Sequence, residues 1–98
     1  MMIMVHKMKL AKGMQFVSDK ETLEAEKEAV ASMLFEEEFK IHSAVQNVYT
    51  GAVMSLISTK SGRWYVKFSS NDMATFGYDE KEARKYFMGF ASIRRELI

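Results

Sequence analysis

The chain reads as an α+β fold: a helix, a three- to four-stranded antiparallel sheet and a second helix, in αβββα order, with an extra N-terminal strand or an arm ahead of it. Three observations predict this. Two helix-start signals, Ser18-x-x-Glu21 and Asp79-x-x-Glu82, bracket the middle of the chain, each with a capping residue and a glutamate three positions on. Between them the texture turns β-branched and aromatic, with Gly and Ser punctuation typical of strands and turns. Short turn signals, at Thr59–Gly62 and Ser70–Asp72, divide that stretch as an antiparallel meander would.

Residues 1 to 17 are read as an N-terminal arm or edge strand, and residues 18 to 98 as one compact domain. In the first segment Met2, Met4, Met8 and Leu10 share a parity with His6, and Met14-Gln15-Phe16-Val17 has an extended character. Ser18 is the expected N-cap of a helix running to about Phe39. Leu23, Val30, Met33 and Leu34 fall on one side of it, widened by Ala25, Ala29 and Phe35. Strands are expected over 41–49, 52–58 and 63–69, with a short fourth over 73–78. Thr59-Lys60-Ser61-Gly62 and Ser70-Asn71-Asp72 are the expected turns, giving an antiparallel meander. Gly51 marks a tight hairpin or a bulge between the first two strands, which could also form one bent element. The last helix opens at Asp79 and is expected to run almost to Ile98. Its apolar face is read as Ala83, Tyr86, Phe90, Ile93 and Leu97, with Phe87 beside them. Both helices are expected on one face of the sheet.

Ninety-eight residues, 48% of them apolar and 28% charged, suit a single soluble domain. The absence of cysteine excludes disulfides, thiolate metal sites and cysteine nucleophiles. The opening MMIMVHKMKL has too few apolar residues before His6, Lys7 and Lys9 for a signal-peptide core or a membrane span, so a cytoplasmic location is expected.

The net charge of +1 conceals a segregation. Residues 18 to 39 carry eight acids against Lys20 and Lys27, a charge of −6, while residues 40 to 71 hold no acid and carry Lys40, Lys60, Arg63 and Lys67. A positive sheet face opposite an acidic helix favours an anionic partner, an acidic protein patch or self-association. Along Arg63-Trp64-Tyr65-Val66-Lys67-Phe68, alternation sends Trp64, Val66 and Phe68 toward a core. Arg63, Tyr65 and Lys67 are then sent toward solvent. Such a basic, aromatic, basic row can meet carboxylates or phosphates. Reversing Arg63 and Lys67 to Glu is accordingly expected to leave folding nearly intact. Trp64→Ala is expected to cost about 3 to 5 kcal/mol.

No motif frames a catalytic residue. No serine sits in a Gly-x-Ser-x-Gly elbow, and the two histidines, His6 and His42, lack a local partner. Glu36-Glu37-Glu38 fan around a helix axis at about 100° per residue instead of converging on a metal. The acid-free stretch from Lys40 to Asn71 leaves no carboxylates on the central strands to hold magnesium for a nuclease. No cofactor, metal or catalytic residue is therefore expected.

The αβββα order with Lys81-Glu82-Ala83-Arg84 at the start of the last helix resembles the double-stranded RNA-binding domain, whose final helix grips phosphates with a lysine-rich start. Gly62-Arg63-Trp64 with Tyr78-Asp79 through Glu82-Ala83 is similar to three-stranded DNA-binding domains of the integrase N-terminal type. The function expected first is a small non-catalytic protein that docks on a larger protein, as accessory factors and inhibitors from phages and mobile elements do, acting by occlusion. The alternative is a nucleic-acid-binding domain using the basic sheet face. The expected contact residues are Arg63, Tyr65, Lys67, Lys81, Arg84 and Lys85, with self-association open and no membrane involved.

Overall fold

The computed structural model describes residues 10–35 and 37–91. Its elements, in chain order, are β1 (Met14–Phe16), α1 (Lys20–Leu34), β2 (Phe39–Asn47), β3 (Val53–Thr59), β4 (Trp64–Lys67), β5 (Met73–Thr75) and α2 (Glu80–Ala91). The five strands form one antiparallel sheet in the order β1-β2-β3-β4-β5. The fold is α+β as expected. Of the two readings of the N-terminal segment the edge strand forms, at Met14–Phe16, and with it the sheet has five strands, not three or four. β1 joins the edge because Gln15 lies opposite Gln46 while Val17 N–H and Val48 N–H bond the Ala44 and Gly13 carbonyls. With β1 ahead of α1 and five strands in all, the order departs from the αβββα layout of the first resemblance.

Helix α1 begins one residue later than its capping signal suggested. Asp19, not Ser18, accepts the Thr22 N–H at 2.8 Å. It also ends early, at Leu34, with Phe35 at φ 56°. The run of three glutamates that follows would stack negative charge on the negative end of the helix dipole, which favours stopping there. Asp79 caps α2, accepting the Glu82 N–H, as the sequence indicated. The expected helical stretch from 92 to 98, and Met2 through Met8 of the arm, lie outside the described residues.

The hairpins fall where the turn residues placed them. Gly62, at φ 98°, closes the Thr59 turn, and Asn71, at φ 70°, closes the next. Asn47 accepts from the Tyr49 and Thr50 N–H groups and opens a turn to Ala52, so β2 and β3 are separate strands. The irregularity lies elsewhere: the β2–β3 register shifts between Ile41 and Ser43, leaving His42 as the extra residue of a bulge.

The helices lie on opposite faces of the sheet, which corrects the expectation of a single covered face. On the α2 side Val45, Leu56, Trp64 and Val66 pack with Ala83, Phe87 and Ala91. On the α1 side Glu26 reaches Ser55 and Lys67, which are paired across β3 and β4, and Val30 one turn on is fully buried. The buried line of α2 is thus Ala83, Phe87 and Ala91, rotated from the one read in the sequence. Tyr86 and Phe90 remain 36% and 56% exposed. On α1, Phe35 is 81% exposed and Ala25 is exposed as well, so neither widens the buried stripe. Among the described residues no helix is long and apolar enough to cross a membrane.

Candidate functional site

The alternation in β4 holds on one face and fails on the other. Trp64 and Val66 are buried against α2, and Phe68 packs at the edge of that core. Tyr65 and Lys67 do point to the opposite face, but α1 covers it. Lys67 is 2% exposed, its Nζ 3.1 Å from Glu26 Oε1 and 3.3 Å from the Phe68 carbonyl. Glu26 Oε2 in turn accepts from the Ser55 hydroxyl at 2.6 Å. Lys67 is therefore a packing residue, not part of a solvent-facing row. Two charges sharing a dry site are tolerable only because each is paired and hydrogen-bonded.

This pairing also offsets part of the charge segregation. Glu26 is neutralised by Lys67, Glu38 lies 3.8 Å from Lys60, and Glu37 accepts from Ser61. Two of the acids of residues 18 to 39, Glu26 and Glu38, thus meet two of the sheet's cations, Lys67 and Lys60, within one molecule. Among the described residues, Lys40 and Arg63 are the sheet-region cations that stay exposed without an ion pair.

The remaining candidates gather at one end of the molecule, where β4 begins and α2 starts. Arg63 is exposed, its guanidinium 5.9 Å from the centre of the Tyr78 ring. Interaction with the phenol oxygen of Tyr78, and next with that of Tyr65, raises the Arg63 pKa. Tyr78 is 69% exposed and Tyr65 half-buried. Two residues beyond the Asp79 cap, in the first turn of α2, Lys81 is exposed. Arg84 carries an ion pair with Glu80 at 2.7 Å and lies 5.2 Å from the centre of the Trp64 ring. Lys85 separates from this group, lining a groove with Glu82, Tyr86, Gly89 and Phe90. Of the six residues expected to form one surface, Arg63, Tyr65, Lys81 and Arg84 are brought to this end. Lys67 is buried and Lys85 turned away.

Behind that surface the bulge delivers His42 onto Trp64, with ring centres 4.7 Å apart and the planes 24° from parallel. His42 Nε2 is 2.7 Å from Ser58 Oγ. Burial lowers the His42 pKa first, and the charges of Arg84 and Lys40 lower it further against a smaller opposing effect of Glu80. The Ser58–His42 distance is that of a nucleophile and its base. Among the described residues, however, no carboxylate hydrogen-bonds His42, and Ser58 sits in a strand paired on both sides, where ladder bonds occupy the neighbouring amides. Nor does any group of three or more His, Asp or Glu among the described residues converge as a metal site.

Sequence reasoning missed Tyr78 and Glu26. Glu26 stands in line with Leu23, Val30 and Met33 at helical spacing, the one acid on that stripe, and this was the available signal for a buried pair. Tyr78 carried no comparable signal, since its exposure follows from the tight turn before α2. Comparison of the chain with protein-family models, curated proteins and solved structures finds no match.

Proposed function

We propose that the chain is a small non-catalytic binding protein that docks on a larger protein through the end formed by Arg63, Tyr65, Tyr78, Lys81 and Arg84. The observation that carries this reading is the exposed Tyr78 ring held against the Arg63 guanidinium. Tyr and Arg are the side chains that most often anchor protein interfaces, and a pair already in contact loses little freedom on binding. The flanking Lys81 fits a partner surface that offers carboxylates. Occlusion of the partner's own site is the mode of action consistent with a chain of this size, as in the accessory and inhibitor proteins of phages and mobile elements.

A nucleic-acid reading draws less support. Trp64, the natural stacking residue, is only 8% exposed, with His42 stacked on its ring and Arg84 over it. Lys67 is withdrawn, and Asp79, Glu80 and Glu82 interrupt the cations of α2. Two measurements test the proposal. Cross-linking capture followed by mass spectrometry is run with the wild-type chain and with an Arg63→Glu/Tyr78→Ala variant; a protein captured by the first and lost by the second is expected. Capture that is indifferent to both changes would remove this end as the docking site. Anisotropy with labelled DNA and RNA at two salt concentrations is expected to show no binding at physiological salt, and persistent binding there would favour the nucleic-acid reading.

A further inference from the structure

The two edges of the sheet differ in what they leave unpaired. At β1 the odd positions face β2, the Met14 N–H is taken by the Ala11 carbonyl in a local turn, and only Phe16 of the strand's outward residues offers an unbonded N–H among the described residues. At β5 the ladder parity can be followed residue by residue. Phe76 N–H bonds the Trp64 carbonyl, Trp64 N–H bonds the Gly77 carbonyl, Phe68 N–H bonds the Asp72 carbonyl, and Ala74 lies opposite Val66. The even positions therefore face β4, and the N–H and C=O groups of Met73 and Thr75 project from the sheet. No described residue bonds them. The segment Met73-Ala74-Thr75 is short, which itself limits an edge, but it carries no proline, no bulge and no charged residue.

An aromatic shelf stands beside this edge. Tyr86 meets both Phe76 and Phe68, Phe90 meets Phe68 and Tyr86, and the contacts are mostly edge-to-face. Because Phe76 follows β5, this side of α2 faces the edge, while Arg84 over Trp64 marks the side toward His42 and β2. Tyr86 and Phe90 keep much of their surface in solvent there.

We infer that β5 is the contact of a symmetric dimer, in which two copies of this chain pair antiparallel about Ala74 and the Tyr86 and Phe90 shelves pack across the two-fold axis. The occupant is a second copy because the surface is complementary to itself. In an antiparallel pair centred on Ala74, Met73 of each copy exchanges both backbone groups with Thr75 of the other, so every free group finds its match. The aromatic shelf meets its own image, and aromatic rings pack well against one another. The rim carries Glu82 and Lys85 together, so the two-fold brings both signs to the seam rather than one, and a net charge of +1 per chain adds little repulsion. This surface is separate from the Arg63 and Tyr78 pair, and its truth does not depend on the docking reading.

Sedimentation equilibrium of the full chain, from micromolar to submillimolar concentration, tests the inference. Wild type is expected to approach twice the 11.3 kDa chain mass as concentration rises. Thr75→Pro is expected to stay at the monomer mass with an unchanged far-UV spectrum, because the N–H it removes points away from β4 and an edge strand accommodates proline. Phe90→Glu, on the exposed face of α2, is expected to do the same and keeps the test decisive if the proline variant misfolds. A wild type that remains monomeric throughout, or a dimer that survives both changes, would overturn the inference.

Discussion

The two faces of one sheet have been filled in opposite ways. Against α2 the sheet offers Val45, Leu56, Trp64 and Val66, and the helix answers with Ala83, Phe87 and Ala91, an apolar interior. Against α1 it offers Ala44, Ile57, Ser55 and Lys67, and the helix answers with Val30 and Glu26, so an ion pair and a hydroxyl share the interior with apolar groups. A small sheet covered on both sides thus need not have two equivalent cores. The α2 face is stabilised by area removed from water, at about 25 cal/mol per Å². The α1 face gains less from area and more from one geometry: Glu26 must meet Lys67 and Ser55 at once, which sets where α1 lies along β3 and β4.

The largest expected effects break the polar face. Lys67→Glu would set a carboxylate against Glu26 at a site where both side chains are almost fully buried, and removing either partner of a buried pair typically costs about 3 to 5 kcal/mol. Urea denaturation is expected to show a loss at or above that range for Lys67→Glu and within it for Glu26→Ala. The expectation that reversing Lys67 leaves folding nearly intact is therefore withdrawn. Replacing both, as Glu26→Leu/Lys67→Met, is expected to match wild type or exceed it by about 1 to 4 kcal/mol. A double variant as unstable as the single ones would mean that the ion pair itself, not the stranded charge, holds the face together.

The apolar face breaks differently. Phe87→Ala is expected to cost about 3 to 5 kcal/mol by leaving a cavity, with no rescue from a second substitution in α1. Removing the α2 cap by Asp79→Ala should cost only about 1 kcal/mol, seen as a small fall in Tm.

The smallest effect sharpens the comparison at the rim, where His42 borders the apolar side. Its pKa lies below the ordinary 6.5 in the folded chain, so the unfolded chain takes up the proton first as pH falls. Stability is expected to decline as pH drops from 6.5 toward the lowered folded value, and His42→Gln should flatten that part of a Tm-against-pH curve. A slope that His42→Gln leaves unchanged would assign the dependence to other groups.

Local signals were legible throughout the chain. Asp79, the Thr59 and Ser70 turns, and the inward course of Trp64 and Val66 follow from contacts within a few residues or from strand parity, which chain chemistry sets wherever the segment lies. The candidate site was legible in part: Arg63, Lys81 and Arg84 were visible as cations near helix and strand starts, whereas the role of Tyr78 depended on a turn geometry no pattern announced. What remained for tertiary packing was the identity of each strand's second environment. Alternation states that Tyr65 and Lys67 leave the face of Trp64; it is silent on whether they enter water or meet another helix. That choice rests on contacts such as Lys67 to Glu26, 41 residues apart, whose formation depends on closing the chain around the sheet. The same holds for the bulge at His42 and for the rotation of α2 that buries Phe87 and leaves Phe90 outside. Each is settled by how large surfaces fit together, a property of the folded whole that no short window of residues contains.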